Sequence, residues 1–441
     1  ESLKDKILQQ FGFAPTQEKG QALDTLVSFL TDRDPQTVMI LRGSAGTGKT
    51  SLSGAIVRTL LQIRQKVMLL APTGRAAKVF SLGSGAPAYT IHRRIYREKA
   101  FAGVDGQFSL NDNLYTDTLF MVDEASMIAN MGLGGTTFGS GCLLDDLVKF
   151  VYQGHNDRLL LIGDKAQLPP VGEEESPALS ASVMEGYGLK VYECDLNEVL
   201  RQSQSSGILY NATLIRQMIT HDAVTGLPLI RFKGFADIVM MPGAELVESL
   251  GDSYHHVGMD ETMVITRSNK RANIYNNGIR NMVLDREEEL SSGDMLMIVK
   301  NNYFWTEKEK KESGEGSAGA VPAFLANGDR AKVLRVSNYI ELYGFRFATL
   351  LLQLPDYDDY EMQVTGMLDT LQSEAPALTH EQQEELFRQV EEDYQHFVPL
   401  KADRMKSIRQ DAYFNALQIK YAYAVTCHKA QGGQWAHVYV D

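Results

Sequence analysis

The chain has 441 residues, of which 44% are hydrophobic and 22% charged, and its formal net charge is −13. This length predicts several domains, and the composition is typical of globular proteins with buried cores. No apolar run reaches the roughly 18 residues of a membrane span, and the N-terminal ESLKDKILQQ lacks a secretory-signal pattern. Three widely separated cysteines without a CxxC pair favour a reducing compartment and argue against structural zinc.

The acidic residues are concentrated in one part of the sequence. The segment 356–393 contains twelve acidic residues and one basic residue, whereas 58–99 contains nine basic residues and one acidic residue. A nucleic-acid footprint is local, so an acidic total does not exclude one. We interpret the basic segment as a candidate nucleic-acid surface, and the alternative for both segments is a solvated charged face.

Four short, densely apolar runs predict strands that are buried on both faces. They span 38–42, 67–71, 119–123 and 159–164. Helix-length segments separate them, which predicts an α/β domain with a parallel sheet and crossover helices. Ligands of such sheets bind beyond the carboxyl ends of the strands, where GSAGTGKT at 43–50, Asp123 and Asp164 all occur.

The alternation resumes after about residue 200 and predicts a second α/β domain. Its predicted strands are 262–267, 330–336 and 437–441. Residues 306–320 lack apolar periodicity, which predicts a mobile loop. Residues 339–414 have the pattern of an insertion that begins with strand-like sequence and continues into acidic, helix-favouring sequence.

The segment 43–50 has the composition of a phosphate-binding loop. Its glycines allow consecutive backbone N–H groups to converge on phosphate oxygens, and the N-terminus of the following helix adds positive potential. In this pattern Lys49 neutralises the β- and γ-phosphates, and the Thr50 hydroxyl ligates Mg²⁺. The predicted cofactors are therefore ATP and Mg²⁺. The predicted nucleotide contacts here are Gly46, Thr47, Gly48, Lys49, Thr50 and Ser51.

Two carboxylates follow the third apolar run. We predict that Asp123 holds Mg²⁺ through water and that Glu124 orients and deprotonates the attacking water. The alternative is an exposed acidic turn, but Ala125-Ser126 and the spacing from the phosphate loop favour the catalytic interpretation.

Two further residues are predicted to act on the γ-phosphate. Gln167, in GDKAQLPP, is predicted to contact the γ-phosphate. Hydrolysis removes that group and with it the contact, so this residue could couple hydrolysis to a change of state. Arg201, in LNEVLRQ, is predicted to stabilise charge on the transferred phosphoryl group. Lys49, Glu124, Gln167 and Arg201 are thus the predicted catalytic set.

Hydroxyls and basic side chains recur in two loops of the first half and in one loop near the C-terminus. Such side chains suit a phosphodiester backbone and read no bases. The predicted nucleic-acid contacts are Pro72, Thr73, Arg75, Lys78, Thr90, His92, Thr426, His428 and Lys429. Nearby aromatic side chains are candidates for base stacking, although most should be core. They are Tyr89, Tyr96, Trp305, Tyr421 and Tyr423.

These motifs, from APTQEKGQAL at 14–23 to TCHKAQGGQW at 426–435, resemble those of superfamily 1B DNA helicases of the Pif and RecD-like branches. The resemblance implies two RecA-like domains with ATP between them, and translocation from 5′ to 3′ on single-stranded DNA. It also implies that Gln17, Gln431 and Gly432 contact the nucleotide, and that Asn269 contacts DNA.

The resemblance further implies a division into domains. Domain 1A is expected at 1–200 with a wedge near 83–115 that includes FAGVDGQFSLN, domain 2A at 201–338 and 415–441, and an SH3-like domain 2B at 339–414. The expected partners are single-stranded and forked DNA, with G-quadruplex DNA as a further candidate, and the protein is expected to be monomeric and not membrane-bound. The expected location is the bacterial cytoplasm, or the nucleus or mitochondrion of a eukaryote.

Two departures from the family pattern bear on these expectations. The family's last motif, a helix with a second phosphate-contacting arginine, does not follow HVYVD at 437–441, and a chain ending there is expected to have weak DNA-stimulated ATPase activity. The Pif signature is not evident in 127–158, so the choice between Pif and RecD-like stays open. Two other functions remain: a DNA-stimulated ATPase or translocase subunit without unwinding, and a P-loop switch or kinase without nucleic acid.

Overall fold

The structure is a computed structural model that describes residues 1–12, 16–98, 108–130, 139–170, 172–199, 204–220, 226–314, 321–322 and 324–441. The chain divides into two compact units, Glu1–Met241 and Pro242–Asp441. This division lies after the predicted boundary at 200/201, because the helix that follows residue 203 packs against the phosphate loop of the first unit.

The first unit is built on a six-stranded parallel sheet. In spatial order its strands are β3 (Ala88–Thr90), β2 (Lys66–Ala71), β6 (Thr118–Val122), β7 (Arg158–Gly163), β1 (Thr37–Gly43) and β8 (Lys190–Leu196). Strands β1, β6 and β7 are buried along their whole length, as central strands of a parallel sheet are. The four strands predicted from apolar runs are confirmed as β1, β2, β6 and β7, and the predicted α/β class is confirmed with them.

Helices cover both faces of this sheet, which gives the first unit its RecA-like form. They are α1 (Leu3–Phe11), α2 (Gln17–Thr31), α3 (Lys49–Gln62), α4 (Gly74–Ser84), α5 (Ile91–Ile95), α6 (Leu143–Gln153), α7 (Ala181–Glu185) and α8 (Gly207–Thr220). Alternate residues of β1 enter different cores: Ile40 belongs to the core that contains Phe150, and Leu41 to the core that contains Leu26. Because successive side chains of a strand point to opposite faces, β1 packs against a helical layer on each side of the sheet.

A short antiparallel hairpin lies within the predicted wedge region near 83–115. It pairs β4 (Tyr96–Glu98) with β5 (Phe108–Leu110), and Arg97 stands opposite Ser109. Residues 99–107, which include much of the candidate wedge sequence, lie outside the described residues. The wedge role thus stays a prediction.

The second unit contains a small parallel sheet of three strands in the order β15-β9-β16. They are β9 (Thr262–Thr266), β15 (Ala424–Thr426) and β16 (His437–Val440). The neighbouring helices are α9 (Leu246–His256), α10 (Asn269–Gly278) with a π-helical turn at Ile279–Val283, and α14 (Cys427–Ala430). Two of the three strands predicted for this domain, at 262–267 and 437–441, are confirmed as members of its parallel sheet.

The second unit also contains a closed barrel, which corresponds to the predicted small inserted domain. Its strands are β10 (Met295–Ile298), β11 (Arg330–Leu342), β12 (Phe345–Leu354), β13 (Tyr360–Met367) and β14 (Leu417–Tyr421), with helices α12 (His380–Gln395) and α13 (Lys401–Arg409) beside it. The strand predicted at 330–336 pairs antiparallel with β10 and β12 in this barrel and does not belong to the parallel sheet, which corrects that assignment. The predicted boundary at 338/339 falls within β11. The barrel extends beyond the predicted insertion at 339–414, because β10 precedes this range and β14 follows it.

A helix replaces most of the loop predicted at 306–320. Helix α11 spans Phe304–Ser313, and residues 315–320 lie outside the described residues. The Glu and Lys residues that gave the segment its polar character also have high helix propensity. Trp305 fixes the start of the helix, because its ring is buried and its Nε1 donates to the Asn415 carbonyl at 2.9 Å.

Candidate nucleotide and nucleic-acid sites

The phosphate loop joins β1 to α3 through a tight turn that glycine conformation and one internal hydrogen bond define. Gly46 and Gly48 have φ of 80° and 82°, in the left-handed region that favours glycine. The Thr47 hydroxyl donates to the Ser44 carbonyl at 2.6 Å, which closes the turn from within. The Ser44 hydroxyl itself is buried and has no hydrogen-bond partner in the described part of the chain.

These features fit a nucleotide triphosphate. Lys49 is half-buried at the first position of α3, and Thr50 and Ser51 are exposed in the same first turn. The helix N-terminus leaves backbone N–H groups for phosphate oxygens. An orphaned buried hydroxyl beside these amides is the polar group that a phosphate would satisfy.

The two carboxylates after β6 lie in the electrostatic field of Lys49. Asp123 is buried, and its Oδ1 accepts from the Glu124 backbone N–H at 2.8 Å. Burial raises the pKa of both carboxyl groups, and the Lys49 ammonium opposes this rise in both. Glu124 adopts a left-handed backbone with φ of 52°, and its Oε2 is buried without a hydrogen-bond partner among the described residues.

The loop after β7 is tied to the loop after β6. Asp164 is buried at the strand end and accepts from the Ala166 backbone N–H at 2.9 Å, which forms the turn that leads to Gln167. The Gln167 Oε1 in turn accepts from the buried Ser126 hydroxyl at 3.0 Å. Asp164 also adds to the raised pKa of Glu124, although burial and Asp123 contribute more. The described members of the predicted catalytic set therefore gather at one edge of one sheet.

Three residues of this region were not predicted from the sequence. The Glu18 carboxylate accepts from the backbone N–H groups of Asn197 and Glu198, each at 2.8 Å. Arg216 of α8 donates to the Asn197 side-chain oxygen at 3.1 Å and lies 3.7 Å from Asp164. Glu18 and Asn197 lie in the motifs at 14–23 and 196–202, but nothing in either motif indicates a contact between them, and Arg216 lies outside both. Only the fold reveals these contacts.

Two predicted nucleotide contacts have less structural support. Gln17 is exposed at the first position of α2, whereas Lys19, two residues later, is fully buried. Arg201 lies outside the described residues. Both roles stay predictions.

In the first unit, the predicted nucleic-acid contacts surround the starts of two helices. Thr73 and Thr90 are the N-caps of α4 and α5, and their hydroxyls accept from Ala76 N–H at 3.1 Å and Arg93 N–H at 3.3 Å. Pro72, Arg75 and Lys78 are half-buried around the first of these starts. His92 follows the second, and burial lowers its pKa to about 4, so a neutral ring is expected at neutral pH.

The second unit repeats this arrangement at the start of α14. Thr426 caps the helix by accepting from the Lys429 N–H at 3.3 Å, and His428 is exposed beside it. The Lys429 ammonium donates to the Asn327 side-chain oxygen, and burial lowers its pKa to about 8. Two predicted nucleotide contacts, Gln431 and Gly432, follow the helix and are half-buried, and Asn269 begins α10.

The candidate base-stacking residues are mostly core, as expected. Tyr96, Trp305, Tyr421 and Tyr423 are buried. Tyr89 is half-buried, and the Arg94 guanidinium lies 3.6 Å from the centre of its ring. This stacking already uses one face of the ring.

Two kinds of feature are absent from the described ranges. No group of three or more His, Cys, Asp or Glu residues there is arranged to hold a metal ion. No helix of these ranges has the length and apolar character that crossing a bilayer requires. A hydroxyl at Thr50 and a buried carboxylate at Asp123 fit the sparse protein ligation of Mg²⁺, which takes its other ligands from phosphate and water.

Comparisons with known proteins agree with this geometry. Residues 19–225 match the AAA domain family. The chain is 30% identical over 157 residues to the ATP-dependent RecD2 DNA helicase of Deinococcus radiodurans, covering 35% of this chain and 18% of that protein. It is 25% identical over 267 residues to the ATP-dependent DNA helicase Dda of Enterobacteria phage T4, covering 58% of this chain and 55% of that protein.

Among solved structures, the fold is similar to that of a Bacteroides Pif1 helicase in complex with ADP-AlF3 and single-stranded DNA. The identity is 13%, the coverage is 97% of this chain and 86% of that one, and the TM-score is 0.43. A likeness of this degree carries no functional inference by itself.

The fold and the phosphate loop define the first unit as a P-loop nucleotide-binding domain of RecA-like form. The resemblance to superfamily 1B helicases of the Pif and RecD-like branches, inferred from the motifs, is confirmed by the family and sequence matches, which cover parts of the chain. The chain spans about half or less of the two helicases named above.

Proposed function

We propose that this protein is an ATP-dependent DNA helicase that moves 5′ to 3′ along single-stranded DNA and separates duplex or structured DNA. One observation carries the ATPase part of this proposal. The field of Lys49 acts on Asp123 and Glu124 at the carboxyl edge of the parallel sheet, and Gln167 is anchored beside them. Phosphoryl transfer needs this combination of a phosphate cation, a metal-side carboxylate and a residue that orients water.

Each described residue has a definite chemical task in this scheme. The loop amides and Lys49 would hold the phosphates. Thr50 and, through water, Asp123 would hold Mg²⁺, which would supply charge stabilisation at the transferred group. The Oε2 of Glu124 has no hydrogen-bond partner among the described residues, and we assign to it the proton of the attacking water. Its raised pKa strengthens it as a proton acceptor, which favours the assignment as general base.

We assign DNA-backbone binding to the N-termini of α4 and α5 in the first unit and of α14 in the second unit. Thr73, Thr90 and Thr426 each accept a hydrogen bond from their own helix, and each hydroxyl proton remains suited to a phosphate oxygen. Lys78 and Lys429 add positive charge near these starts. Such contacts are independent of sequence, so we propose single-stranded DNA of any sequence as the track.

The relatives support DNA as the substrate and do not specify its form. RecD2 and Dda are each named as ATP-dependent DNA helicases. The 5′-to-3′ direction rests on the motif resemblance alone. Forked and G-quadruplex DNA are proposed as substrates to compare once movement is measured.

The test is strand displacement from duplexes that carry a single-stranded tail at either the 5′ or the 3′ end, with ATP and Mg²⁺. The proposal predicts displacement from the 5′-tailed duplex and none by Lys49→Ala, which loses the phosphate cation. ATPase stimulation by single strands without displacement would instead identify a translocase subunit. Displacement from 3′-tailed duplexes alone would contradict the proposed direction.

A further inference from the structure

Helix α8 lies across the edge of the sheet where the predicted catalytic residues gather. Near its start, Leu209 packs so tightly on the phosphate loop that a Cβ at Gly46 would be 2.9 Å from the Leu209 Cδ1. Near its end, the Arg216 Nε lies 3.7 Å from the Asp164 Oδ1. The helix therefore contacts loops that follow two neighbouring strands, β1 and β7.

Arg216 connects two segments that are distant in sequence. On one side is Asp164, whose Oδ1 lies 3.7 Å from the Arg216 Nε and also accepts from the Ala166 N–H in the turn that leads to Gln167. On the other side is Asn197, whose amide oxygen accepts from the Arg216 Nη2 at 3.1 Å. The planar guanidinium suits this task, because its donors diverge in a fixed fork that an ammonium lacks.

The segment at Asn197 is held from a second direction by Glu18. The Glu18 carboxylate accepts both the Asn197 and the Glu198 backbone N–H groups. Side-chain and backbone groups of one short segment are thus fixed by two charged residues from two helices, α2 and α8. This segment begins the LNEVLRQ motif, of which the structure describes residues 196–199.

A plain surface ion pair is the simpler interpretation of Arg216 and Asp164, but their burial argues against it. Their side chains are only 16% and 12% exposed, whereas surface pairs are well hydrated and contribute little. A buried charged pair costs desolvation free energy, so its retention at a catalytic edge calls for a specific role.

We propose that Arg216 is a positioning residue for ATP hydrolysis, which bridges Asp164 in the Gln167 loop to Asn197 at the start of the LNEVLRQ motif. This inference rests on the proposed ATPase function. In physical terms, the guanidinium keeps the Gln167 loop and the segment at Asn197 in one relative position beside the phosphate loop. Loss of the bridge should slow hydrolysis while leaving the phosphate loop able to bind nucleotide.

The experiment compares steady-state ATPase activity with single-stranded DNA for wild type, Arg216→Ala and Arg216→Lys. We expect Arg216→Ala to lower kcat about tenfold or more with KM for ATP changed by less than about threefold, the signature of an interaction needed mainly in the transition state. Arg216→Lys keeps the charge near Asp164 but loses the fork, so it should recover only part of kcat.

Arg231→Ala is the matched control. Arg231 also contacts α8, through the Tyr210 ring at 5.5 Å, and its backbone bonds to Asn211 survive the substitution. Its kcat should equal that of wild type, and thermal melting should show all three variants folded. A double-mutant cycle with Asp164→Asn should be non-additive, as expected for residues that act through one contact.

The outcomes separate this inference from the proposed function. Absence of DNA-stimulated ATPase activity in the wild-type protein would contradict the proposed function itself. An active wild type with Arg216→Ala indistinguishable from Arg231→Ala would overturn the positioning role. Equal losses for the Ala and Lys variants, with a raised KM, would also overturn it, because they would indicate damage to nucleotide binding.

Discussion

The Ser126 hydroxyl donates to the Gln167 Oε1 at 3.0 Å and so joins the loops that follow strands β6 and β7. Ser126 is fully buried, and it lies two residues after Glu124. This hydrogen bond therefore links the loop of Glu124, the proposed general base, to the loop of Gln167, the proposed γ-phosphate contact. A change at either loop reaches the other through one hydrogen bond.

Ser126→Ala tests this connection with a nearly isosteric change. A neutral hydrogen bond contributes about 1 kcal/mol, so we expect DNA-stimulated kcat to fall about three- to tenfold with little change in KM for ATP. Gln167→Ala should cause a larger fall, because it also removes the proposed contact with the γ-phosphate. Wild-type kcat in Ser126→Ala, together with an inactive Gln167→Ala, would show that the hydrogen bond does not position the amide.

Gly46→Ala tests the shape of the phosphate loop. The substitution imposes a side chain at φ of 80° and within 2.9 Å of Leu209, so nucleotide binding should weaken at least about tenfold. Gly85→Ala is the matched control, since Gly85 has φ of 72° with no atom within 4 Å of the added Cβ. Titration with a fluorescent ATP analogue should show near-normal affinity for Gly85→Ala alone, and equal affinities for the two variants would contradict the packing of α8 on the loop.

Asp329 predicts a pH dependence of stability in the second unit. Burial raises the pKa of this carboxyl from 3.8 to about 7, although Ala326 N–H and the Tyr357 hydroxyl donate to it. A raised carboxyl pKa favours the protonated form, so the folded state loses stability as pH rises from about 4 to about 7 and changes little beyond. The melting temperature of this unit should fall across that window, and Asp329→Asn should remove the fall.

Tyr357→Phe should change the pH dependence in the opposite direction from Asp329→Asn. It removes a donor that favours the ionised carboxylate and so raises the pKa of Asp329 further. The melting temperature should therefore keep falling to a higher pH than in wild type. Parallel pH profiles for wild type and Asp329→Asn would contradict the assignment of this titration to Asp329.

Lys429 predicts a pH dependence of DNA binding. Its pKa is lowered to about 8 by burial, so the ammonium is lost as pH rises from about 7 to about 9. Loss of one phosphate contact should weaken binding of single-stranded DNA about three- to tenfold over this range. Lys429→Arg keeps its charge and should abolish this dependence in a fluorescence-anisotropy titration. An unchanged dependence in that variant would exclude Lys429 as its source.

The sequence predicts the sheet of the first unit well for a physical reason. Strands β1, β6 and β7 are buried on both faces, so each is a dense apolar run between helix-length segments. The phosphate loop and the two carboxylates are then fixed at strand ends by topology alone. Local sequence is sufficient wherever burial determines every position of an element.

The same reasoning fails where tertiary contacts, and not the local sequence, determine the secondary structure or the pairing of a segment. Residues 330–336 are apolar enough for a parallel strand, yet they alternate in burial as one wall of the barrel. Helix α11 has no apolar periodicity and is held by the buried Trp305 ring. Glu18 and Asn197 are 179 positions apart, and nothing local in either sequence marks their contact.

The most direct measurement is ATP hydrolysis by the whole chain with and without single-stranded DNA, beside Lys49→Ala and Glu124→Gln. We predict that DNA stimulates the wild-type rate severalfold or more, while Lys49→Ala and Glu124→Gln stay at background and Glu124→Gln still binds the nucleotide. Identical wild-type rates with and without DNA, or near-normal turnover by Glu124→Gln, would contradict an ATPase that works on a nucleic-acid strand through this site.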